Sequence, residues 1–232
     1  MHHGRRVRGI QRDVSDVRPP RDSQRSRVYR AETPVGGGRL PHLDQCAAYV
    51  DEVVGSLWWM ARFPEHGLAD VPRLRPGQGA RQAFYREDPG RPTITLPRRY
   101  RTTGVVLHEL AHWALKGVHD LPVHGRTFTR VLLDATFEFG GAGRADRLAA
   151  GYAEHKVHVG KPARLGPDGR WYYDWDERLR LGRDKALTVR WGTDNVTTGV
   201  LTSRAHATAS LCTADGRIVR IRERDIWSVT PA

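Results

Sequence analysis

Four residues in the segment Val105 to Thr129, VVLHELAHWALKGVHDLPVHGRTFT, have types and spacing suited to chemistry at a metal ion. His108 and His112 stand four apart, so on a helix their imidazoles lie one above the other and can reach one ion. Glu109, one position on, projects beside such an ion, where it can take a proton from the attacking water. The pattern is H-E-x-x-H, which a chain of this composition would carry by chance roughly 0.02 times.

The surrounding residues predict the helix that the chemistry needs. Val105, Val106, Leu107, Leu110, Ala111, Ala114 and Leu115 recur at helical spacing, Thr102 or Thr103 suits the N-cap, and Gly117 suits the end. A catalytic zinc usually takes three protein ligands and keeps a fourth position open, so a third ligand is required. The extended metzincin pattern would put a glycine at 115 and a histidine at 118, where the chain has Leu115 and Val118. That pattern also needs a later methionine, and only Met1 and Met60 exist. His124 is the better candidate, because Gly125, Phe128, Val131, Leu132, Ala135 and Phe139 predict a second helix whose start could return this imidazole to the first. Glu138 and His119 are its rivals.

H-E-L-A-H followed after a loop by H-G-x-x-F (His124, Gly125, Phe128) resembles the SprT-like zincin metallopeptidases, and among them the small metallohydrolase-like proteins of actinobacteria and their phages. The resemblance covers about residues 41 to 160. It implies His108, His112 and His124 as ligands of one zinc per chain and Glu109 as catalytic acid/base; it does not show that the substrate is a protein, though a protein or peptide is the expected one. It also admits action on proteins attached to DNA.

The rest of the chain must position these groups. At 232 residues and 39% hydrophobic it can build one sizeable core, or a core and a small module. No apolar run approaches 18 residues, so no membrane span is expected, and with two distant cysteines, Cys46 and Cys212, reduced thiols and a cytoplasmic location are expected. The net charge of +12 is uneven: +6 over residues 1 to 39, +2 over 40 to 159 and +4 over 160 to 232. Residues 1 to 39, with few aliphatics, Pro19-Pro20 and Gly36-Gly37-Gly38, are expected to form a basic, disordered arm that could contact nucleic acid.

From Leu43 to Trp58 apolar residues recur at three and four, predicting one helix over about 42 to 61. Pro72 and Pro76 mark a loop. Residues 81–86 and 92–96 flank Glu87-Asp88-Pro89-Gly90 and predict a hairpin, with Thr93 to Leu96 as an edge on which an extended substrate could pair. A third helix is expected around Ala145 to Ala153. Beyond Gly160 come an aromatic cluster (Trp171, Tyr172, Tyr173, Trp175) and β-like runs over 187–191, 196–202, 207–213 and 217–222. In the last run alternation sets Val219 and Ile221 against Arg220 and Arg222, a face that with exposed aromatics could bind nucleic acid.

The expectation is therefore an α+β protein in three parts: the arm (1–39), a zincin-like helical metal-binding core with a short β-hairpin or sheet (40–159), and a small C-terminal antiparallel β module, an SH3-like barrel or meander (160–232). Its expected function is that of a zinc-dependent hydrolase, most simply a metallopeptidase. The alternative is a nucleic-acid-associated protein in which the metal is mainly structural.

Overall fold

A computed structural model describes residues 21–79, 81–88 and 91–232. Over these residues the chain is mixed α+β and has two hydrophobic cores. The first is built by helices α1 (Arg25–Glu32), α2 (Leu43–Val54), α3 (Leu57–Arg62), α4 (Thr103–Ala114), α5 (Arg126–Gly140) and α6 (Ala142–Glu154), with strands β1 (Arg73–Arg75), β2 (Phe84–Arg86) and β3 (Thr93–Thr95).

The helix expected over 42 to 61 is two helices. Gly55 ends α2, and the Ser56 side chain accepts a hydrogen bond from Trp59 N at 3.1 Å to cap α3, so the apolar period continues across a break in the backbone. The expected hairpin forms, with β2 antiparallel to β3 and Phe84 opposite Thr95; its predicted turn falls partly on residues 89–90, outside the described residues. β1, in the stretch expected to be a loop, pairs parallel to β3 on its other side. The order β1-β3-β2 makes β3 the central strand, with Thr93, Ile94 and Thr95 all buried. The expectation that Thr93 to Leu96 offers a free edge is thus corrected, because both sides of β3 already carry strand partners.

The arm expected to be disordered over 1 to 39 is corrected for its described part. Residues 25–32 form α1, which buries Val28 and Ala31 in the first core. Gly151 of α6 makes this packing close: a Cβ there would stand 2.9 Å from Ala31 O. The remainder of the expected arm, residues 1 to 20, lies outside the described residues.

The C-terminal part begins with a small hairpin, β4 (Arg164–Leu165) with β5 (Trp171–Tyr172), and helix α7 (Trp175–Leu181). A five-stranded antiparallel sheet follows: β6 (Ala186–Trp191), β7 (Asn195–Ala205), β8 (Thr208–Cys212), β9 (Ile218–Arg222) and β10 (Ile226–Pro231), in the order β10-β6-β7-β8-β9. Successive strands pair as a meander, and the last returns to the outer side of the first. Alternation sends Leu187, Val189, Leu201, Leu211, Ile221 and Val229 inward, where Trp175 and Leu179 of α7 complete the second core. Both cysteines are free, and among the described residues no helix is long and apolar enough to cross a membrane.

Candidate metal centre

α4 is the frame of the site. Thr102 caps it, its side chain accepting from Val105 N at 3.3 Å, and Val106, Leu107, Leu110 and Ala111 hold it in the core. His108 and His112 thus share one fixed face, and their Nε2 atoms lie 3.1 Å apart. His124 comes from the loop before α5, and its ring joins theirs: the three candidate ligand atoms all lie within 4.8 Å of one another. The rivals do not join this cluster; Glu138 and His119 are exposed.

The site fits a metal ion on three counts. Nitrogens held tetrahedrally at about 2.0–2.1 Å from one ion stand about 3.3 Å apart, close to the His108–His112 separation. His108 and His124 each turn Nδ1 away, to Glu32 Oε2 at 2.8 Å and to Asp22 Oδ2 at 2.7 Å. An ionised carboxylate can only accept, so beside one each Nδ1 carries the proton and donates, which fixes the tautomer and leaves the Nε2 lone pair free inside the cluster. Finally, His124 Nε2 is buried without a hydrogen-bond partner among the described residues, a costly arrangement that a metal ion would satisfy.

Aromatic rings enclose the imidazoles. Tyr29 stacks on His108 with ring centres 5.2 Å apart and lies 5.3 Å from His124. Phe128 stacks on His112 at 4.4 Å and meets the other two rings edge-on. Burial in this apolar setting, then the neighbouring imidazoles, push His108 and His112 well below the usual histidine pKa, keeping them in the neutral form that ligands require.

Glu109 is 2% exposed, and its Oε2 has no partner among the described residues. Burial raises its carboxyl to about 8; the Tyr85 backbone N–H opposes this and Glu32 adds to it. Glu32 is likewise raised to about 8 by burial, with His124 opposing. A cation on the imidazoles would draw both carboxyls back down.

His124 has the most elaborate support. Gln24 Nε2 donates to its carbonyl at 2.7 Å, and the same amide exchanges hydrogen bonds with His158 N and O at 3.0 and 3.2 Å. Asp22, Gln24, Tyr29 and Glu32 therefore all act on the site from the stretch expected to be disordered. The stretch gave little sign of this: α1 buries only Val28 and Ala31, too few to make a helical stripe, and its contribution is polar. Trp113 packs on Trp59 at 5.6 Å, as a structural neighbour of the site.

Beside His112 a cavity of about 160 Å³ opens between Tyr85, Leu115, Val118, Leu121, Pro122 and Val123. Comparison of the chain with protein-family models, curated proteins and solved structures found no match, so its chemistry is read from the site itself.

Proposed function

We propose that this chain is a zinc-dependent hydrolase acting on peptide bonds, with His108, His112 and His124 as the zinc ligands and Glu109 as the general base. The observation that carries the proposal is the convergence of three imidazoles, two of them anchored through Nδ1, beside a buried glutamate whose Oε2 has no partner among the described residues. Three histidines leave a fourth position open, the arrangement of catalytic rather than structural zinc. Zinc bound there supplies an activated water at neutral pH and polarisation of the scissile carbonyl.

The chain's own residues do the remainder. Glu109 receives the water's proton at Oε2 and delivers it to the departing amine. Asp22 and Glu32 hold two imidazoles in one tautomer and orientation throughout. Tyr29 and Phe128 exclude water from one side and the base of the site, which strengthens every charge interaction in it. The cavity beside His112 fits a medium apolar side chain next to the cleaved bond. These features also support the SprT-like reading, and the strand order of the C-terminal sheet, with its short helical turn at Glu223–Asp225 before β10, supports an SH3-like module. Free thiols accord with a cytoplasmic setting.

The test is cleavage of an unfolded protein by the zinc-loaded chain. Wild type should cut and Glu109→Gln should not, although it keeps its zinc; equal activity in the two would remove Glu109 from the mechanism.

One observation favours a second reading, nucleic-acid association. On β9, Arg220 and Arg222 are exposed opposite the inward Ile221, as alternation predicts, and among the described residues neither forms an ion pair. Of the four aromatics in that expectation, Tyr173 and Trp175 are buried in the two cores, while Trp171 and Tyr172 are half-buried. This reading predicts a DNA affinity that falls steeply with salt and is indifferent to Glu109→Gln.

A further inference from the structure

We infer that α7, a helix of the C-terminal part, clamps the loop that carries the third ligand, and that Glu177 is a positioning residue for His124. The inference rests on the zinc reading above. The residues that cap helices best with a side chain of their own are Ser, Thr, Asp and Asn. α5 has none of these: its N-cap is Gly125, which has no side chain to offer. The cap comes instead from Glu177, fifty residues further along. Its Oε1 accepts from Arg126 N at 3.0 Å and its Oε2 from Thr127 N at 2.8 Å, satisfying two of the first free donors of α5 with the charge that the helix dipole favours there.

This contact is closely built. Glu177 is 2% exposed, and a carboxylate so buried is costly unless its oxygens are satisfied as these are. Gly125 has an ordinary φ of −71°, so backbone freedom does not explain the glycine. Space does: a Cβ at 125 would stand 2.5 and 2.8 Å from the two Glu177 oxygens.

The next residue of α7 grips the other side of the ligand. Arg178 forms an ion pair with Asp120, in the loop before His124. One short helix thus holds the chain on both flanks of the ligand, while its apolar side, Trp175 and Leu179, is locked in the core of the five-stranded sheet. The division of labour is clear: Asp22 and Gln24 set the ring and carbonyl of His124 directly, and α7 sets the path of the backbone through it. The C-terminal sheet then serves as the anchor of a clamp on the metal centre, and zinc affinity depends on residues that touch no ligand.

The test uses the full chain with zinc alone as probe, reading zinc Kd by competition with a chromophoric chelator and the melting temperature of the zinc-free protein. Glu177→Ala should weaken zinc binding by about 10–100-fold, the range for residues that orient ligands from behind. Glu177→Gln, which keeps an acceptor but loses the charge, should fall between. A helix that merely stabilises the fold would lower the zinc-free melting temperature and leave Kd unchanged, and that result overturns the inference. If Glu177→Ala does not fold, Glu177→Gln and Asp120→Asn decide it by the same criterion: wild-type Kd in both overturns it, and weakened binding in either with the fold intact supports it. Absence of zinc binding in wild type would instead sink the zinc reading, and this inference with it.

Discussion

The two cores of this molecule are built on different terms. Around the five-stranded sheet the buried polar residues are Asp176, Ser210, Glu223 and Ser228, both acids are met by Arg204 of the sheet itself, and neighbours in space are mostly neighbours in sequence, strand against next strand. Around α4 the interior admits His108, Glu109, His124, Thr127 and Gln24, and hydrogen-bond partners arrive from the side chains of residues 22 to 32, from the backbone of His158 and from the Glu177 carboxylate, which takes the Thr127 N–H. Burying unpaired polar groups costs free energy, so a core that keeps them must recruit partners from wherever the chain can supply them. On the zinc reading, the difference separates the part that holds the metal centre from the part that supports it.

The sharpest way to break the comparison is to remove a ligand. His112→Ala should abolish zinc retention, an effect larger than the about 10–100-fold loss expected from any residue behind a ligand, while α4 stays helical by circular dichroism. Retained stoichiometric zinc would mean that the three imidazoles are not one site. The complementary change lies in the other core. Leu211 is fully buried under the sheet, and Leu211→Ala should cost about 2–5 kcal/mol in urea unfolding. Zinc content of the folded fraction should not change.

That contrast also explains what could be read from the sequence. The runs at 187–191 and 217–222 were legible because period-two alternation is a local signal of a sheet with one buried face, and β6 and β9 fall there. His108, His112 and Glu109 were legible because one helix fixes their geometry within a single turn or so. α1 and α7 were not. Each is short, eight and seven residues, and buries two large or small apolar residues at most spacing too brief to show a period. The acids on them and just before α1, Glu32, Glu177 and Asp22, have partners 50 to 102 positions away, and no local pattern encodes such a pairing. β1 escaped for a similar reason: three residues between prolines read as a loop until β3 is there to receive them.

A smaller perturbation tests whether the acids behind the histidines belong to the site or only to the fold. Glu32→Gln should lower zinc affinity by about 10–100-fold, because the amide can present its donor group to Nδ1 and disturb the tautomer. Unchanged affinity would make the 2.8 Å contact incidental.

The smallest expected effect concerns the junction between α7 and the sheet. Arg204 joins Asp176 and Glu223 at 2.6 and 2.5 Å, and Lys161 reaches Glu223 at 2.6 Å. The Arg204 hydrogen bond holds the Glu223 carboxyl down to about 2, with burial opposing and Lys161 assisting. A carboxyl held below its ordinary 4.5 stabilises the fold fully above that pH, and the contribution is lost as pH falls toward 2. The urea midpoint of the zinc-free wild type should therefore fall more steeply than that of Glu223→Gln over this window. Parallel slopes would show that the network holds no net stability.

The most direct measurement is zinc content by elemental analysis of the purified chain, with Glu109→Gln and His124→Ala in parallel. One zinc per chain in wild type and in Glu109→Gln, with loss in His124→Ala, is the predicted result. A wild type that takes up no zinc even after reconstitution would contradict the central claim that these three histidines form a metal centre.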